Sequence, residues 1–417
     1  MAIVKPFVCV HPAGGYYAEV AALPYDVYSR AEAKAFVADR PHSFLNIDRP
    51  ETQFPDDQDM YADCVYDKAS SMLAQWQEDG ILEQEEEACY FIYSLTMNGR
   101  EQTGIVGCCS VDDYLNNVIR KHEFTLEEKE LDRIRHVDVC NAQTGPIFLA
   151  YRHREDIRSL VEQVKKAEPV FDFVSEDGVR HAGWKVSDRG VNRALESAFA
   201  DISRTYIADG HHRCASAVKV ALKRREETKD YTGKEEFNYF LSILFPDDEL
   251  KILPYNRLVK DLNGLTEEEF LNRVEEKFCI RKVSTAVKPT QKGICGMYLN
   301  GRWYLLEQRE EYVRDDCVDG LDVSYLQNEL LCPVLGIRDP KTDHRIEFSG
   351  GIRGTDYLEK RCQADMAVAF SMHPTSIQEL FAVADADRMM PPKSTWFEPK
   401  LRSGLFIHRF EKRQEQG

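Results

Sequence analysis

A segment near the middle of the chain, residues 205–222, combines a strand, a glycine turn and a polar helix start. Its apolar strand ends at Asp209-Gly210, and small residues then recur at the spacing of a helix. The first helical turn begins with three polar or basic residues: His211, His212 and Arg213. Because a helix N-terminus has free N–H groups and a partial positive charge, the segment predicts a site for phosphate or carboxylate.

The residue types in this turn suit anion chemistry. Gly210 lets the backbone approach a ligand closely, Arg213 can form a fork onto an oxyanion, and His211 or His212 can move a proton. An ordinary helix start, capped by Asp209 and with an exposed charged first turn, explains the same residues. The segment alone leaves both interpretations open.

Two other loops carry groups that act on phosphates or metals. Glu123 precedes a helix start in residues 121–125, where it could activate a hydroxyl or hold a metal, although a solvated loop is the simpler interpretation. Prolines stiffen the loop 390–400. This loop offers two ammonium groups and two hydroxyls, from Lys393, Ser394, Thr395 and Lys400. A loop that covers the core is an equal alternative for residues 390–400.

Asp26 lies in a loop that Pro24 makes rigid, where it serves as a turn residue or as a ligand. The remaining histidines and the 12 cysteines show no spacing typical of a zinc site. The chain also lacks a Walker loop and the Gly-x-Ser-x-Gly pattern of serine hydrolases.

The composition is that of a globular protein of 417 residues, 43% of them hydrophobic, which predicts two or three domains. The net charge of −17 argues against a nucleic-acid binder. No run of residues resembles a signal peptide or a membrane span, and the cysteines form no disulfide framework. We therefore expect a soluble cytoplasmic protein.

The pattern of elements mixes helices and strands along the whole chain. Hairpins are predicted at Asn98-Gly99, Asp177-Gly178 and Asn300-Gly301. Helices are predicted over 29–38, 57–79, 125–140, 323–335 and 376–389, and strands over 43–47 and 145–151, among others. This order favours an α+β fold over a doubly wound parallel sheet.

The motif at 208–217 resembles the second signature of the ParB/sulfiredoxin superfamily, in which small residues follow a glycine and an arginine. Sulfiredoxins have a catalytic cysteine after that glycine, where this chain has His211, so sulfinic-acid repair is not expected. ParB proteins add a basic helix-turn-helix domain, which this chain lacks. The Asp-Gly-His-His-Arg version is most similar to the free-serine kinases of the superfamily, which phosphorylate serine using a nucleotide and magnesium.

A second resemblance extends over nearly the whole chain. Its motifs occur in the same order in a large prokaryotic family that is catalogued as a domain of unknown function, at residues 23–27, 43–51, 120–125, 208–213 and 390–395. Members of that family are often associated with serine biosynthesis and look like enlarged relatives of the serine kinases.

These resemblances imply an α+β fold whose ParB/sulfiredoxin-like core contains the strand, turn and helix of residues 205–222. Residues 1–230 would form the nucleotide-binding region, with large mixed α/β insertions at about 55–190. Residues 237–417 would form a C-terminal α+β domain.

The implied activity is a nucleotide-dependent phosphotransferase, a kinase of free serine or a similar small hydroxy amino acid, with ATP or ADP and Mg²⁺ as cofactors. A non-catalytic nucleotide-binding regulator of the ParB-like type and a phosphoserine-directed phosphatase are the alternatives. The expected partner is a small serine-like molecule, without nucleic acid or membrane, and a homodimer is one option for assembly.

Site roles follow from the residue types and these resemblances. The expected catalytic residues are Asp209, Glu123 and His211, and Asp209 is also the expected metal ligand. The nucleotide is expected to bind to Gly210, His212, Arg213, Lys393, Ser394 and Thr395. The substrate is expected to contact Tyr25 and Asp26, and Asp26 could exchange roles with Glu123.

Overall fold

The computed structural model describes residues 1–125 and 127–410, without the side chain of residue 129. The chain forms two compact units. Unit 1 contains Met1–Arg120, Thr125–Leu250 and the described residues from Pro399 onward. Unit 2 contains Lys121–Phe124 and Lys251–Glu398. Each unit is therefore built from separate segments of the chain.

The strands are numbered in chain order as β1 to β21. They are Val4–Lys5, Cys9–Pro12, Leu82–Gln84, Phe91–Met97, Arg100–Ser110, Ile119–Arg120, Ala142–Gln143, Ile147–Tyr151, Phe171–Val174, Arg180–Lys185, Thr205–Asp209, Tyr239–Pro246, Ile252–Leu253, Tyr255–Val259, Phe278–Val283, Ile294–Leu299, Arg302–Gln308, Ile346–Gly350, Val368–Ser371, Trp396–Phe397 and Ile407–Arg409.

The α-helices are numbered in the same way as α1 to α13. They are Tyr17–Val20, Arg30–Val37, Leu45–Asp48, Asp63–Glu78, Val111–Leu115, Glu127–Cys140, Glu155–Val164, Arg189–Ala200, His211–Glu227, Glu267–Lys277, Asp322–Leu326, Gly354–Ala364 and Ile377–Asp385. No helix formed by the described residues is both long enough and apolar enough to cross a bilayer.

Unit 1 is built on a 9-stranded sheet with the order β6-β11-β8-β12-β5-β4-β10-β9, and β1 pairs with β5. The sheet is mixed, because β11 runs parallel to β6 and antiparallel to β8, while β8 runs parallel to β12. A 4-stranded sheet with the order β3-β2-β21-β7 completes the unit. Mixed sheets with interspersed helices confirm the predicted α+β class.

The helix α9 packs on the large sheet of unit 1 through its apolar face. Cys214 and Val220 of α9 belong to one buried cluster with Leu149 of β8, Ile207 of β11 and Phe240 of β12, all fully shielded from solvent. Burying such side chains stabilises the fold by about 1.5–3 kcal/mol each. The start of α9 is therefore held at a fixed place beside the end of β11.

Unit 2 contains a 6-stranded sheet with the order β15-β17-β16-β19-β14-β18 and a 2-stranded sheet of β13 and β20. All of its pairings are antiparallel. The helix α12 contributes Leu358 to an apolar cluster with Leu258 of β14 and Ala369 of β19.

The three predicted hairpins are confirmed, since β4–β5, β9–β10 and β16–β17 each pair antiparallel across the expected turn. The predicted helix at 29–38 is also confirmed as α2, with a capping box between Ser29 and Glu32. The helix expected after Thr125 is observed as α6, and Leu126, within its predicted capping box, lies outside the described residues.

The strand predicted at 43–47 is wrong, because these residues lead into the short helix α3. The amide of Asn46 donates to the carbonyl oxygens of Arg40 at 2.9 Å and Ser43 at 3.0 Å. Side-chain bonds of this kind compete with sheet formation and favour a tight turn.

Two predicted helices differ in length. The helix expected at 57–79 begins only at Asp63, because the Asp59 carboxylate accepts from the backbone N–H of Tyr61 and holds a turn. The helix expected at 323–335 is α-helical only over α11 and continues as a π-helix at Gln327–Leu331.

Candidate functional site

The predicted strand, turn and helix of residues 205–222 are confirmed in unit 1. The strand β11 ends at Asp209, and Gly210 then turns the chain into α9 with φ of 91°. Such a left-handed conformation favours glycine, because any Cβ atom would be strained there. The N–H of Gly210 donates to Oδ1 of Asp209 at 2.8 Å. Local backbone geometry thus places the carboxylate beside the first turn of a 17-residue helix.

The guanidinium of Arg213 lies over the glycine turn. A Cβ atom added to Gly210 would be 3.1 Å from Nε of Arg213 and 3.2 Å from its Nη2. Nη1 of Arg213 donates to the carbonyl oxygen of Pro146, just before β8. A positive group is therefore fixed above the helix N-terminus, where both would attract an oxyanion.

Asp209 forms an ion pair with Lys400, whose Nζ lies 3.0 Å from Oδ2. The side chains are 33% and 15% exposed, respectively. Burial raises the pKa of Asp209, but the charges of Lys400 and Arg213 and the Gly210 N–H outweigh it and hold this pKa well below its ordinary value. Asp209 is therefore a permanent carboxylate. A group with so low a pKa is a poor proton acceptor and a good partner for cations.

A small cavity of about 30 Å³ lies beside Arg213 and has room for about one water molecule. Its polar lining includes the buried side chains of Asp48 and Thr144. The hydroxyl of Thr144 donates to Oδ1 of Asp48 at 2.8 Å.

A larger cavity of about 210 Å³ adjoins the first, and Tyr25 and Arg133 line both. Asp26 and Glu51 also face the larger cavity. This volume suits a molecule of the size of a small amino acid. The two residues predicted to contact the substrate, Tyr25 and Asp26, are thus found together, next to the cavity that Arg213 lines.

Arg133 holds the wall between the two cavities. Its guanidinium lies 4.0 Å from the ring centre of Tyr25 and 2.8 Å from a carboxylate oxygen of Asp132. It also donates to the carbonyl oxygen of Asp48 at 3.3 Å. Burial raises the pKa of Tyr25 to about 12, although Arg133 opposes the shift. Tyr25 is therefore a neutral hydroxyl that is able to donate a hydrogen bond.

A second ion pair, between Arg49 and Glu51, braces the other side of the larger cavity. Nε of Arg49 lies 2.5 Å from Glu51, and Nη1 donates to the carbonyl oxygens of Tyr25 at 2.9 Å and Tyr28 at 2.8 Å. Both charged side chains are almost completely buried. The loop that carries Tyr25 is therefore held by charge-assisted hydrogen bonds, which are stronger than neutral ones.

The helix-start histidines lie in the same unit as Asp209. His211 is buried, and His212 is partly exposed. The carbonyl oxygen of His212 accepts from the Ser216 hydroxyl at 2.7 Å, and that hydroxyl also reaches the carbonyl oxygen of Glu130 at 3.1 Å. These bonds tie the first turns of α9 to α6.

The other predicted site residues belong to unit 2, where they lie near one another. The backbone N–H of Met390 donates to the carbonyl oxygen of His122, next to Glu123, at 2.8 Å. The hydroxyl of Thr395 lies 3.5 Å from Nε2 of His122. The Ser394 hydroxyl donates to a carbonyl oxygen of its own loop at 2.6 Å.

Lys393 has a left-handed backbone with φ of 58°, and its carbonyl oxygen accepts from Nη2 of Arg257 at 3.1 Å. Arg257 is buried, and burial lowers its pKa to about 10. The residues that the structure describes provide no carboxylate partner for Arg257. A buried arginine therefore lies under the loop that carries Lys393.

Sequence reasoning missed several residues that line the cavities or form ion pairs at the turn. They are Asp48, Glu51, Asp132 and Arg133. The sequence predicts Lys400 only as a phosphate ligand of its loop and not as the partner of Asp209. Glu51 lies in the segment 43–51, which carries the family resemblance, so a signal was available for it. Arg133 lies in a highly charged helix that resembles a solvated face, and no local pattern distinguishes it.

Several solved structures resemble this chain over part of its length and share little sequence with it. A free serine kinase in complex with AMP is 14% identical over 72% of this chain and 92% of its own, with a TM-score of 0.36. SbnI from Staphylococcus aureus, with a C-terminal truncation, is 10% identical over 72% and 85%, with a TM-score of 0.40. A conserved hypothetical protein from Pyrococcus furiosus is 13% identical over 72% and 93%, with a TM-score of 0.36.

A comparison with curated proteins gives no match. The sequence does match a family model, described as a protein of unknown function (DUF1015), over residues 4–324. That range covers unit 1 up to its last described segment and a large part of unit 2. The chain therefore belongs to the DUF1015 family.

Proposed function

We propose that the protein is a nucleotide-dependent phosphotransferase that transfers a phosphoryl group to the hydroxyl of free serine or a similar small hydroxy amino acid. Its proposed catalytic region is a ParB/sulfiredoxin-like core built around β11 and α9. The observation that carries the proposal is the turn at Gly210, where the Arg213 guanidinium lies beside a helix N-terminus. Phosphoryl transfer depends mainly on such positioning and charge neutralisation.

The cavities of unit 1 support the substrate class. Tyr25 and Asp26 both line the larger cavity, of about 210 Å³. A carboxylate suits the ammonium group of an amino acid, and a hydroxyl donor suits its carboxylate. Tyr25 and Arg133 also line the cavity next to Arg213, so a substrate there would lie close to a phosphate held at the turn.

The proposed cofactors are ATP or ADP and Mg²⁺. The permanent charge of Asp209 fits a hard cation, which prefers carboxylate oxygens, although the Lys400 ammonium competes for Oδ2. Asp209 would hold the ion, and a bound Mg²⁺ supplies neutralisation of the phosphate charge. Without the ion, Lys400 keeps the carboxylate in a single orientation. His211 and Glu123 are the proposed proton carriers.

The direct test incubates the purified full chain with serine plus ATP or ADP, and separately with phosphoserine, and follows the products by phosphorus NMR. We expect phosphoserine to form from serine and a nucleotide. Release of inorganic phosphate from phosphoserine without nucleotide would instead support a phosphatase. Nucleotide binding without turnover in either direction would refute both enzymes and leave a regulator.

Matched variants on α9 test the site itself. Arg213→Met removes charge-assisted bonds worth about 1.5–3 kcal/mol, so nucleotide affinity should fall about 10-fold to 100-fold. Arg225→Met, in the last turns of the same helix, removes an ion pair with Asp112 and should leave nucleotide affinity unchanged. Equal effects of the two variants would contradict the placement of phosphate at Gly210.

Lys393→Met and Glu123→Gln test the roles proposed in unit 2. We expect Lys393→Met to weaken nucleotide binding and Glu123→Gln to lower turnover while nucleotide affinity is retained. Lys341→Met is a suitable control, because this ammonium lies 4.5 Å from the Phe124 ring in the same unit. Full activity of both site variants would remove these residues from the proposed mechanism.

A further inference from the structure

Unit 1 contains a third cavity, of about 590 Å³, to which the phosphotransferase proposal assigns no role. Residues 18–43 and the turn of the β9–β10 hairpin form its walls, and Arg402 also lines it. Tyr28 is shared with the cavity of about 210 Å³, so the two spaces are neighbours. The cavity is large enough for a small ligand with several functional groups.

Arg402 is a buried arginine in the wall of this cavity. Its side chain is only 4% exposed, and Nη2 lies 2.5 Å from Oδ2 of Asp177 and 3.1 Å from the Ser175 hydroxyl. Nη1 has no hydrogen-bond partner among the described residues. Because buried donors are almost always paired in folded proteins, an unpaired guanidinium nitrogen beside a cavity points to a missing acceptor.

Ser43 is a second unpaired donor in the wall of the same cavity. The residue is 2% exposed, and its hydroxyl also has no partner in the part of the chain that the structure describes. Two independent unpaired donors, from distant parts of the sequence, thus lie at one cavity. An oxygen acceptor such as a carboxylate suits either donor.

The rim of the cavity is acidic, whereas Arg402 and Ser43 in its wall are hydrogen-bond donors. Four of its residues carry a carboxylate group: Glu19, Asp39, Glu176 and Asp177. Each of them pairs with another lining residue: Glu19 with His42, Asp39 and Glu176 with Arg40, and Asp177 with Arg402. Two arginines still offset only half of the formal charge of four carboxylates. The rim therefore favours a ligand that carries a positive group, and a simple anion such as phosphate is disfavoured.

The remaining wall is apolar. It is formed mainly by Ala18, Ala21, Leu23, Phe36 and Val174. The Phe36 ring lies 5.2 Å from the Tyr28 ring, so part of the wall is aromatic. A ligand that fills the cavity therefore combines an acceptor, a cation and an apolar body.

We propose that this cavity binds the zwitterion of an α-amino acid with an apolar side chain. The carboxylate accepts from Nη1 of Arg402 and from the Ser43 hydroxyl, and the ammonium group lies among the rim carboxylates. Both donor atoms are shielded from solvent in the free protein. The proposal therefore requires these two side chains to move toward the cavity when the ligand binds. The proposal is independent of the phosphotransferase activity, because it concerns a separate cavity.

Calorimetric titration of the full chain, without nucleotide, tests the ligand class. The probes are L-leucine, isocaproate, which lacks the ammonium group, and isoamylamine, which lacks the carboxylate. We expect saturable binding of leucine and at least about 10-fold weaker binding of either analogue, since each loses a charge-assisted interaction. No saturable binding of leucine, or equal binding of isocaproate, would overturn the proposal.

Ser43→Ala tests whether the hydroxyl contributes to leucine binding without contributing to the stability of the fold. Because the hydroxyl has no partner among the residues that the structure describes, its removal should not lower stability, while leucine affinity should fall about 3-fold to 10-fold. Ser349→Ala is the matched control, since that buried hydroxyl in unit 2 is also unpaired among the described residues. Unchanged affinity in Ser43→Ala, or an equal loss in Ser349→Ala, would contradict the proposal.

Two arginine variants locate the ligand. Arg402→Gln should weaken leucine binding about 10-fold to 100-fold, whereas Arg213→Met should leave it unchanged. Loss of leucine binding in Arg213→Met, with binding retained in Arg402→Gln, would place the ligand in the other cavity and refute the proposal. Failure of the phosphotransferase test would not affect any of these outcomes.

Discussion

The ion pair of Asp209 and Lys400 should couple two distant parts of unit 1 energetically. At the observed 3.0 Å, the Coulomb attraction at an effective dielectric constant of about 20 is roughly 5 kcal/mol before desolvation. The Lys400 side chain is 15% exposed, so part of this attraction is offset by the cost of removing the charge from water. We expect a net coupling of about 1–3 kcal/mol, above the 0–1 kcal/mol that is typical of surface pairs.

A double-mutant cycle of Asp209→Asn, Lys400→Met and the double variant measures this coupling. The asparagine keeps an oxygen that is able to accept from the Gly210 N–H, so the cycle isolates the loss of charge. Stability should be measured by hydrogen exchange of amides in β11 and α9, because this readout reports unit 1 locally.

The same pair predicts the pH dependence. The native pKa of Asp209 is depressed, so its stabilising contribution is complete above the unfolded value of about 4 and is lost as the pH falls through the native value. Below about pH 4 the difference between wild type and Asp209→Asn should therefore shrink.

The exposed pair of Glu87 and Arg189, with side chains 66% and 79% exposed, serves as the control cycle and should show coupling of at most about 0.5 kcal/mol. A coupling between Asp209 and Lys400 no larger than this control value would refute the reasoning.

Three further predictions concern unit 1. Gly210→Ala should lower the free energy of unfolding by about 1–2 kcal/mol because of the left-handed backbone, and by an additional amount because it displaces the Arg213 guanidinium. Gly178 has φ of 78° and open space around it, so Gly178→Ala should show only the backbone cost in urea unfolding. Arg133→Met should cost about 2–4 kcal/mol because it leaves the largely buried carboxylate of Asp132 without its cationic partner. Arg135→Met on the same helix removes an exposed pair and should change the unfolding midpoint little. Burial lowers the pKa of His181 from 6.5 to about 3, so the wild type should lose stability as the pH falls from about 6.5 toward 3. His181→Gln should reduce this loss in acid titrations followed by circular dichroism. A His181 imidazole that titrates near pH 6.5 by NMR would contradict this last prediction.

Much of the local structure could be predicted from the sequence. The hairpin at Asn98-Gly99 follows from two residues whose preferred conformations match a tight turn, and the α2 capping box needs only Ser29 and Glu32. The prediction at 43–47 failed because apolar residues in a short buried run suit a strand or a helix equally, and the Asn46 side chain decided between them.

The candidate site was predicted only in part. Tyr25 and Asp26 were proposed as substrate contacts, and both line the cavity of about 210 Å³. The charged wall formed by Arg133 was not predicted, because an arginine in a charged helix has the same local pattern whether it faces water or a cavity. The roles of all the predicted site residues remain predictions, including those of Glu123 and Lys393 in unit 2.

The sequence by itself determined the turn at Gly210, because the strand, the left-handed glycine and the start of α9 depend on interactions among a few consecutive residues. Only the tertiary structure decided the charge environment of Asp209. Its partner Lys400 lies 191 positions away and reaches it because the chain returns to unit 1 at Pro399. No periodicity or motif encodes such a return, since it results from packing of the whole unit. The turn is therefore a property of local sequence, and its electrostatic state is a property of the fold.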